Sequence, residues 1–416
     1  MLKKILNLRK DELVRGSLIL FIAINLFNFM NYLFHFFMAR MLGPADYGVL
    51  AVLMSILYII SVPSESIQTI VSRYTSKYLA EKKLGKIKSL LSRTLKKSVK
   101  FAFFIFLIYI PVAFFLSNFL KIDFLLILLT GTIVFGFFMM PINRGILQGK
   151  KKFKELGLNM ITESGTKLII AIFLVYIGLG VYGAISGNLM GVFLAFVFAF
   201  IFMKDVVKSK KVEIETKGIY AYGMPVFIVI ISIMVMLSMD IILAKRFFSP
   251  EIAGQYAVAS MLGKMIFFGT AGISKAMFPF ATEKFENGDK SHGVFYKSLL
   301  IIFAFILIAL VFFGLIPKFI VGILFGSQYL AISNIVIYTG LAFGFLSITN
   351  LILIYSLRAH KIRFSYLLFI FILLEIILLS LFNSSLKSFS IALVTANFIM
   401  MLGSLLFLKW KDINNS

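Results

Sequence analysis

The chain has 416 residues, 60% of them hydrophobic and only 14% charged, with a formal net charge of +24. That balance excludes an ordinary soluble globular domain. The cations lie between long apolar runs, so they report membrane topology rather than nucleic-acid binding. No cysteine is present, which excludes disulfides, thiol chemistry and cysteine metal sites. His35, His292 and His360 are scattered, and no histidine or acid cluster has metal-ligand spacing.

The apolar runs are continuous and reach the ~20 residues that cross a bilayer as a helix. The strands of a membrane β-barrel would be short and alternating instead. In chain order, residues 1–15 (MLKKILNLRKDELVR) read as an amphipathic lead-in at the membrane interface. The first span has a basic flank but no A-x-A-like cleavage site after it, and it reads as retained. Twelve spans follow, at roughly 16–39, 46–70, 98–120, 122–144, 157–178, 180–203, 219–244, 251–281, 295–316, 328–356, 364–382 and 386–408. The fold class expected is an all-α integral membrane protein.

The odd-numbered gaps carry only Arg40, Lys121, Lys245, Arg246, Lys318 and Lys387. Nearly all other cations lie at the N-terminus, in the even-numbered gaps and in the C-terminal tail. That asymmetry predicts a multi-pass protein of the cell membrane with both termini cytoplasmic. The long gap 71–100 reads either as a basic loop that only sets topology or as holding a surface helix on the cytoplasmic leaflet. Ile87, Leu90, Leu91 and Leu95 form its apolar face, with Lys86, Lys88, Arg93 and Lys96 around the other.

The segment ARMLGPADYGVLA (39–51) recurs as KRFFSPEIAGQYA (245–257). Arg40, Pro44, Gly48 and Ala51 match Arg246, Pro250, Gly254 and Ala257 at constant spacing. Ile110-Pro111 matches Ile316-Pro317 at the same offset. These matches predict an internal duplication and two pseudo-symmetric six-helix lobes, 1–205 and 206–416. In each copy the arginine, proline and glycine form a structural hinge between spans. Parallel repeats place the substrate site between the halves. Pro63, Pro141, Pro225 and Pro279 sit within or near the ends of spans and predict bends.

Charges inside spans cost at least ~2.5 kcal/mol at a helix centre, so they face protein or water. Lys264 and Lys275 lie on nearly the same helical face with Phe268 and Ala271 between them. They read as a basic stripe that meets an anionic head group, or as a paired Lys264 with Lys275 snorkelling to the interface. Arg73 is a further cation of the same kind. Glu163 and Lys167 are one turn apart and read as a self-neutralised pair that permits insertion or as groups that contact substrate. Glu375 has no cation on its own helix; its burial requires a partner across the bundle or a protonated state, which makes it a coupling-site candidate. Asp240 is near the outer end of its span and reads either as interfacial or, with Glu163, Lys167 and Glu375, as a coupling or ion-pair group.

No phosphate-cradling GxxxxGK[ST] loop and no GxSxG motif occurs, and no cofactor is expected. The outer gaps are too short for a catalytic domain, which argues against a membrane glycosyltransferase or polymerase and against any enzyme.

ARMLGPADYGVLAVLMSI, then VSRYTSKYLAEKKLGKI, then LQGKKKFKELGLNMI resemble the polysaccharide-biosynthesis (oligosaccharide flippase) branch of the MOP exporter superfamily. That superfamily also contains MATE drug exporters and lipid II flippases. The resemblance implies a MATE-like carrier with two lobes, twelve helices, a V shape and a central cavity. The implied cargo is a polyprenyl- or dolichyl-linked oligosaccharide flipped to the outer leaflet, with membrane lipids and glycan-assembly enzymes as partners and no nucleic acid. Lipid II flippases carry two further C-terminal helices, and here the apolar spans stop at twelve. Buried lysine and arginine suit an anionic cargo, with Lys264 binding its diphosphate because no acid lies one turn away. The alternative is a cation-coupled exporter of small organic cations.

Overall fold

The computed structural model describes residues 12–214, 224–286, 292–356 and 364–413. The lead-in at 1–11 therefore lies outside the described residues. Every regular element among them is helical. The chain divides into two compact units, one of residues 1–42 and 60–222, the other of 43–59 and 223–416.

Helix α1, Glu12–Ile60, is interrupted at Gly43, whose backbone (φ 75°, ψ 173°) lies where residues with a Cβ are strained. Pro44 follows and restarts the helix, since it needs no donor there and its φ is already helical. The residues before this break belong to the first unit and those after it to the second. The break releases the end of one span into a different set of neighbours.

In the first unit, α2 (Pro63–Ala80) starts on Pro63 and α3 runs unbroken from Leu84 to Leu120. The surface helix expected within 71–100 is thus the first part of the following span. Its apolar face, Ile87, Leu90 and Leu91, is buried against protein rather than lipid, with Leu95 packed alongside. The reason is a set of competing apolar partners: Val71 and Tyr78 of α2, and Met203, Val206 and Ile214 further on. The polar edge of the same helix holds segment 207–214 in place. Lys88 Nζ donates to Val207 O and Arg93 Nη1 to Ile214 O, each at 2.6 Å.

Past residue 98, α3 is the apolar span, with Phe103, Phe104, Phe114 and Phe115 more than half exposed. An apolar exterior of this kind suits lipid. Helix α4 (Phe124–Gly131) is capped by Asp123, which accepts from Leu125 N at 2.7 Å. Then come α5 (Val134–Gly149) and α6 (Phe153–Leu174). A π turn at Val175–Leu179 leads into α7 (Gly180–Phe202). Gly183, Gly187 and Gly191, four residues apart, let α7 lie directly on α6. A Cβ on Gly187 would come within 2.7 Å of Ala171 Cα. This is the small-residue packing by which helices associate where no hydrophobic effect separates them from lipid. Short helix α8 (Lys204–Lys208) closes the unit. Its Asp205 pairs with Lys150 and sits 3.9 Å from Lys152. Partial burial disfavours the Asp205 charge, but the two ammonium groups hold its carboxyl below the ordinary aspartate value.

The second unit contains α9 (Met224–Phe247), α10 (Pro250–Glu286), α11 (His292–Leu315) and α12 (Pro317–Phe325). A 3-10 turn at Ser327–Asn334 precedes α13 (Val336–Ser356), α14 (Phe364–Leu381) and α15 (Leu386–Ile413). The helix break between Phe247 and Pro250 repeats the break before Pro44. The two repeated segments meet inside this unit. Gly48 and Gly254 face each other so closely that a Cβ on Gly48 would lie 2.8 Å from Gly254 Cα. A Cβ on Gly254 would run into the Pro44 carbonyl. Ser238 Oγ donates to Ser55 O at 3.0 Å, which ties α9 to the end of α1.

Among the described residues, nine helices are long and apolar enough to cross a membrane, and Leu368–Leu381 is a shorter apolar one. The expected twelve spans do not appear as twelve separate helices. Two of the nine each cover residues read from the sequence as two spans: Leu18–Ile60, interrupted at Gly43, and Phe153–Phe202, made of α6 and α7 joined by the π turn.

Candidate functional site

Each unit contains its own cluster of charged and polar side chains. In the second unit, Tyr256, Ser260 and Lys264 lie four residues apart on α10 and form one stripe. All three meet Asp240 of α9. Lys264 Nζ donates to Asp240 Oδ1 at 3.1 Å. Tyr256 Oη donates to Oδ2 at 3.3 Å, and Ser260 Oγ donates to the same oxygen. Asp240 is fully buried and Lys264 is 5% exposed.

This geometry corrects two expectations. Asp240 is buried rather than interfacial, and Lys264, with no acid one turn away, is not left uncompensated for a diphosphate: Asp240 on a neighbouring helix pairs with it. Sequence spacing along α10 does not reveal it. The Lys264 ammonium also lies 5.3 Å from the centre of the Phe343 ring on α13, an additional favourable contact for a desolvated cation.

Glu375 of α14 is 0% exposed. Both its carboxyl oxygens are buried without a hydrogen-bond partner among the described residues. It interacts electrostatically with Asp240 and Lys264, so the expected partner across the bundle is present as a charge but not as a bond. Lys275 lies on the same helix as Lys264 but is exposed. The two lysines therefore occupy different environments and do not form a single stripe.

In the first unit the expected Glu163–Lys167 pair is replaced by two separate arrangements. Glu163 Oε2 receives Arg144 Nη2 at 2.5 Å, and Arg144 Nε donates to Asn159 Oδ1 at 2.9 Å. Asn159 Nδ2 continues the network to Ala195 O at 2.6 Å. Lys167 turns instead to Asn31 Oδ1, at 3.0 Å, and to the face of Phe34, 4.1 Å from its centre. Spacing along one helix permits an i,i+4 pair, but Arg144 offers a forked, charge-assisted donor that competes better for the carboxylate.

Arg144 was missed because it falls at the predicted end of a span, where a cation reads as an anchor. The signal was available: Arg144 and Gln148 are four apart on α5, as are Asn159 and Glu163 on α6. Gln68 Nε2 donates to Gln148 Oε1 at 2.9 Å. Together with Leu20, Ile24, Leu156 and Met160, the residues Gln68, Arg144 and Gln148 line a cavity of about 170 Å³. Replacing Arg144 by methionine strands the Glu163 carboxylate and is expected to cost about 1–3 kcal/mol of stability. A lowered unfolding temperature of the purified protein checks this, and an additional Glu163→Gln change should restore most of the loss.

Arg73 is exposed on α2 and joins neither cluster. Arg40, also exposed, lies 4.6 Å from the centre of the Phe36 ring, and Arg246 and Pro250 are exposed. Pro44, Gly48 and Gly254 form the close approach described above. Among the described residues no group of histidine and acidic side chains is placed to hold a metal ion.

Helices of this length, with buried ion pairs inside and aromatic side chains outside, define a polytopic membrane protein, and the fold matches that of known carriers. An inward-facing MATE multidrug-resistance transporter of the MOP superfamily superposes with a TM-score of 0.75 at 15% identity, over 91% of this chain and 93% of that one. An outward-facing MATE transporter of the same superfamily superposes at 0.64, with 14% identity over 96% and 95%. A MOP superfamily transporter from Pyrococcus furiosus, described as having a binding pocket of reverse polarity, superposes at 0.63, with 16% identity over 96% and 95%. The chain matches the family described as "Polysaccharide biosynthesis protein" over residues 37–334, and it belongs to that family. An uncharacterized membrane protein of Methanocaldococcus jannaschii is 25% identical over 268 residues, 60% of this chain and 63% of that protein.

Proposed function

We propose that the protein flips a polyprenyl- or dolichyl-linked oligosaccharide from the cytoplasmic to the outer leaflet, for assembly of cell-surface glycans. The family match over residues 37–334 carries this reading, and a MATE-type carrier fold suits it. Such a cargo has an anionic diphosphate, a hydroxyl-rich head and a lipid tail that stays in the bilayer. A carrier for it needs polar groups inside its helical units and an apolar exterior; each unit has buried polar and charged side chains and exposed apolar ones.

The topology belongs to the same proposal. It takes Leu18–Ile60 and Phe153–Phe202 as two crossings each and Leu368–Leu381 as a further one, twelve in all. With both termini cytoplasmic, the basic segments around Lys96 and Lys154 face inward. A cysteine placed at either position in this cysteine-free chain should react with a membrane-impermeant thiol reagent only after the membrane is opened. Labelling of intact cells would overturn this topology.

A second reading, a cation-coupled exporter of small organic cations, is favoured by one observation. The Glu375 carboxyl is buried without a hydrogen bond among the described residues, as an ion- or proton-coupling group would be. The two readings separate in proteoliposomes. The first expects a fluorescent lipid-linked oligosaccharide to reach the opposite leaflet without a pH or sodium gradient being needed for binding. The second expects gradient-driven efflux of an organic cation and no movement of the lipid. Absence of lipid flipping in liposomes that export the cation would end the first reading.

A further inference from the structure

The cavity in the first unit has a chemical character that charge counting along the sequence does not show. Its walls come from four helices: Leu20 and Ile24 from α1, Gln68 from α2, Arg144 and Gln148 from α5, Leu156 and Met160 from α6. The only cation among these lining residues is Arg144, and its charge is already matched by Glu163. A phosphate entering here would meet no uncompensated positive charge, and an organic cation would meet no uncompensated negative one. The cavity suits an uncharged group.

The hydrogen-bonding inventory narrows the class further. Gln68 and Gln148 use one amide group each on one another. That leaves one carboxamide with a free oxygen and the other with a free NH2, and exchanging the two amide orientations leaves the same pair on opposite residues. Arg144 uses Nε and Nη2 on Asn159 and Glu163, and its Nη1 forms no hydrogen bond among the described residues. The cavity thus presents donors and an acceptor together, against walls of leucine, isoleucine and methionine. A sugar ring matches that combination, because each hydroxyl both donates and accepts while the ring's C–H faces are apolar. The volume, about 170 Å³, is below the roughly 300–1,000 Å³ of pockets that enclose drug-sized ligands. It fits one ring rather than an oligosaccharide.

We propose that this cavity is a subsite for a single uncharged sugar ring, held by Gln68, Gln148 and Arg144 and separate from whatever binds the diphosphate. The assignment rests on the flippase reading and adds to it the part of the cargo that the first unit recognises.

The test uses the full chain, purified without sugar-based detergent and placed in lipid nanodiscs. Equilibrium binding is measured for undecaprenyl diphosphate and for the same lipid bearing one glucose or one N-acetylglucosamine. Wild type is expected to bind a sugar-bearing lipid about tenfold more tightly than the bare diphosphate. Octyl glucoside should compete away that gain and leave the bare lipid bound. Gln148→Leu and Gln68→Leu should each remove the gain while holding the affinity for the bare lipid within about twofold. Met160→Trp, which fills the cavity without touching its polar groups, should do the same, and it keeps the test decisive if a glutamine variant misfolds.

Variants that retain the sugar gain overturn the subsite. So do variants that lose affinity for bare and sugar-bearing lipids alike, which would place the diphosphate here. A wild type that flips lipid-linked oligosaccharide but binds all three lipids equally overturns the subsite and leaves the flippase reading standing. A wild type that neither binds nor flips them overturns both.

Discussion

Lys264→Ala is expected to remove most of the folded protein. The change leaves the Asp240 carboxylate fully buried, still held by Tyr256 and Ser260 but without its cation. Breaking a buried pair in this way costs about 3–5 kcal/mol, a large part of the 5–15 kcal/mol that holds a typical domain together. Loss of an unpaired buried cation would ease insertion; the pair with Asp240 reverses the sign of that effect. The yield of monodisperse protein and its unfolding temperature read the loss directly. The double change Lys264→Met with Asp240→Asn removes both charges and should recover most of the stability, because neutral replacement of a buried pair is often without net cost. Transport by the double variant then isolates function from folding. Flipping at the wild-type rate would make the pair purely structural and end the expectation that Lys264 binds the cargo's diphosphate.

Gly254→Val is expected to have an effect of similar size by a different mechanism. Any Cβ at this position meets the backbone carbonyl of Pro44, and on the other side Gly48 is already in contact. Backbone cannot move aside as a flexible side chain does, so the cost should exceed the ~1–3 kcal/mol usual for overpacking. The segment after Gly43 would have to leave its place against α10. Limited proteolysis near residues 43–48, together with the unfolding temperature, checks this. Gly48→Ala should be nearly as damaging, and Gly272→Ala, whose Cβ would meet nothing within 4 Å, is the control. Wild-type stability in Gly254→Val would show that the two repeated segments do not bear on one another.

Much of the helical architecture is legible in the residues. Apolar runs of bilayer length must satisfy their backbone groups internally, so they are helices. Gly43-Pro44 and Ser249-Pro250 break the chain where they stand, because glycine permits the strained backbone and proline cannot continue the preceding hydrogen bonds. The apolar face formed by Ile87, Leu90, Leu91 and Leu95 was also legible as a face. What covers it was not, because lipid and protein are equally apolar and periodicity does not distinguish them.

The same limit governs the charges. The sequence marks Asp240, Glu163, Lys167, Lys264 and Glu375 as groups too costly to bury alone, since that follows from desolvation and from position in an apolar run. It does not say which group each one meets. Helical spacing determines which side chains share a face, and partners on other helices depend on how those helices pack. Packing here places Asp240 beside Lys264, Arg144 beside Glu163, and Gln68 beside Gln148, pairs separated by 24, 19 and 80 residues. Composition and periodicity determined that this chain is a bundle of membrane helices with buried charge. Only the tertiary structure decided which charges cancel and where a neutral polar cavity remains, because ion pairs and cavities are properties of the distances between helices.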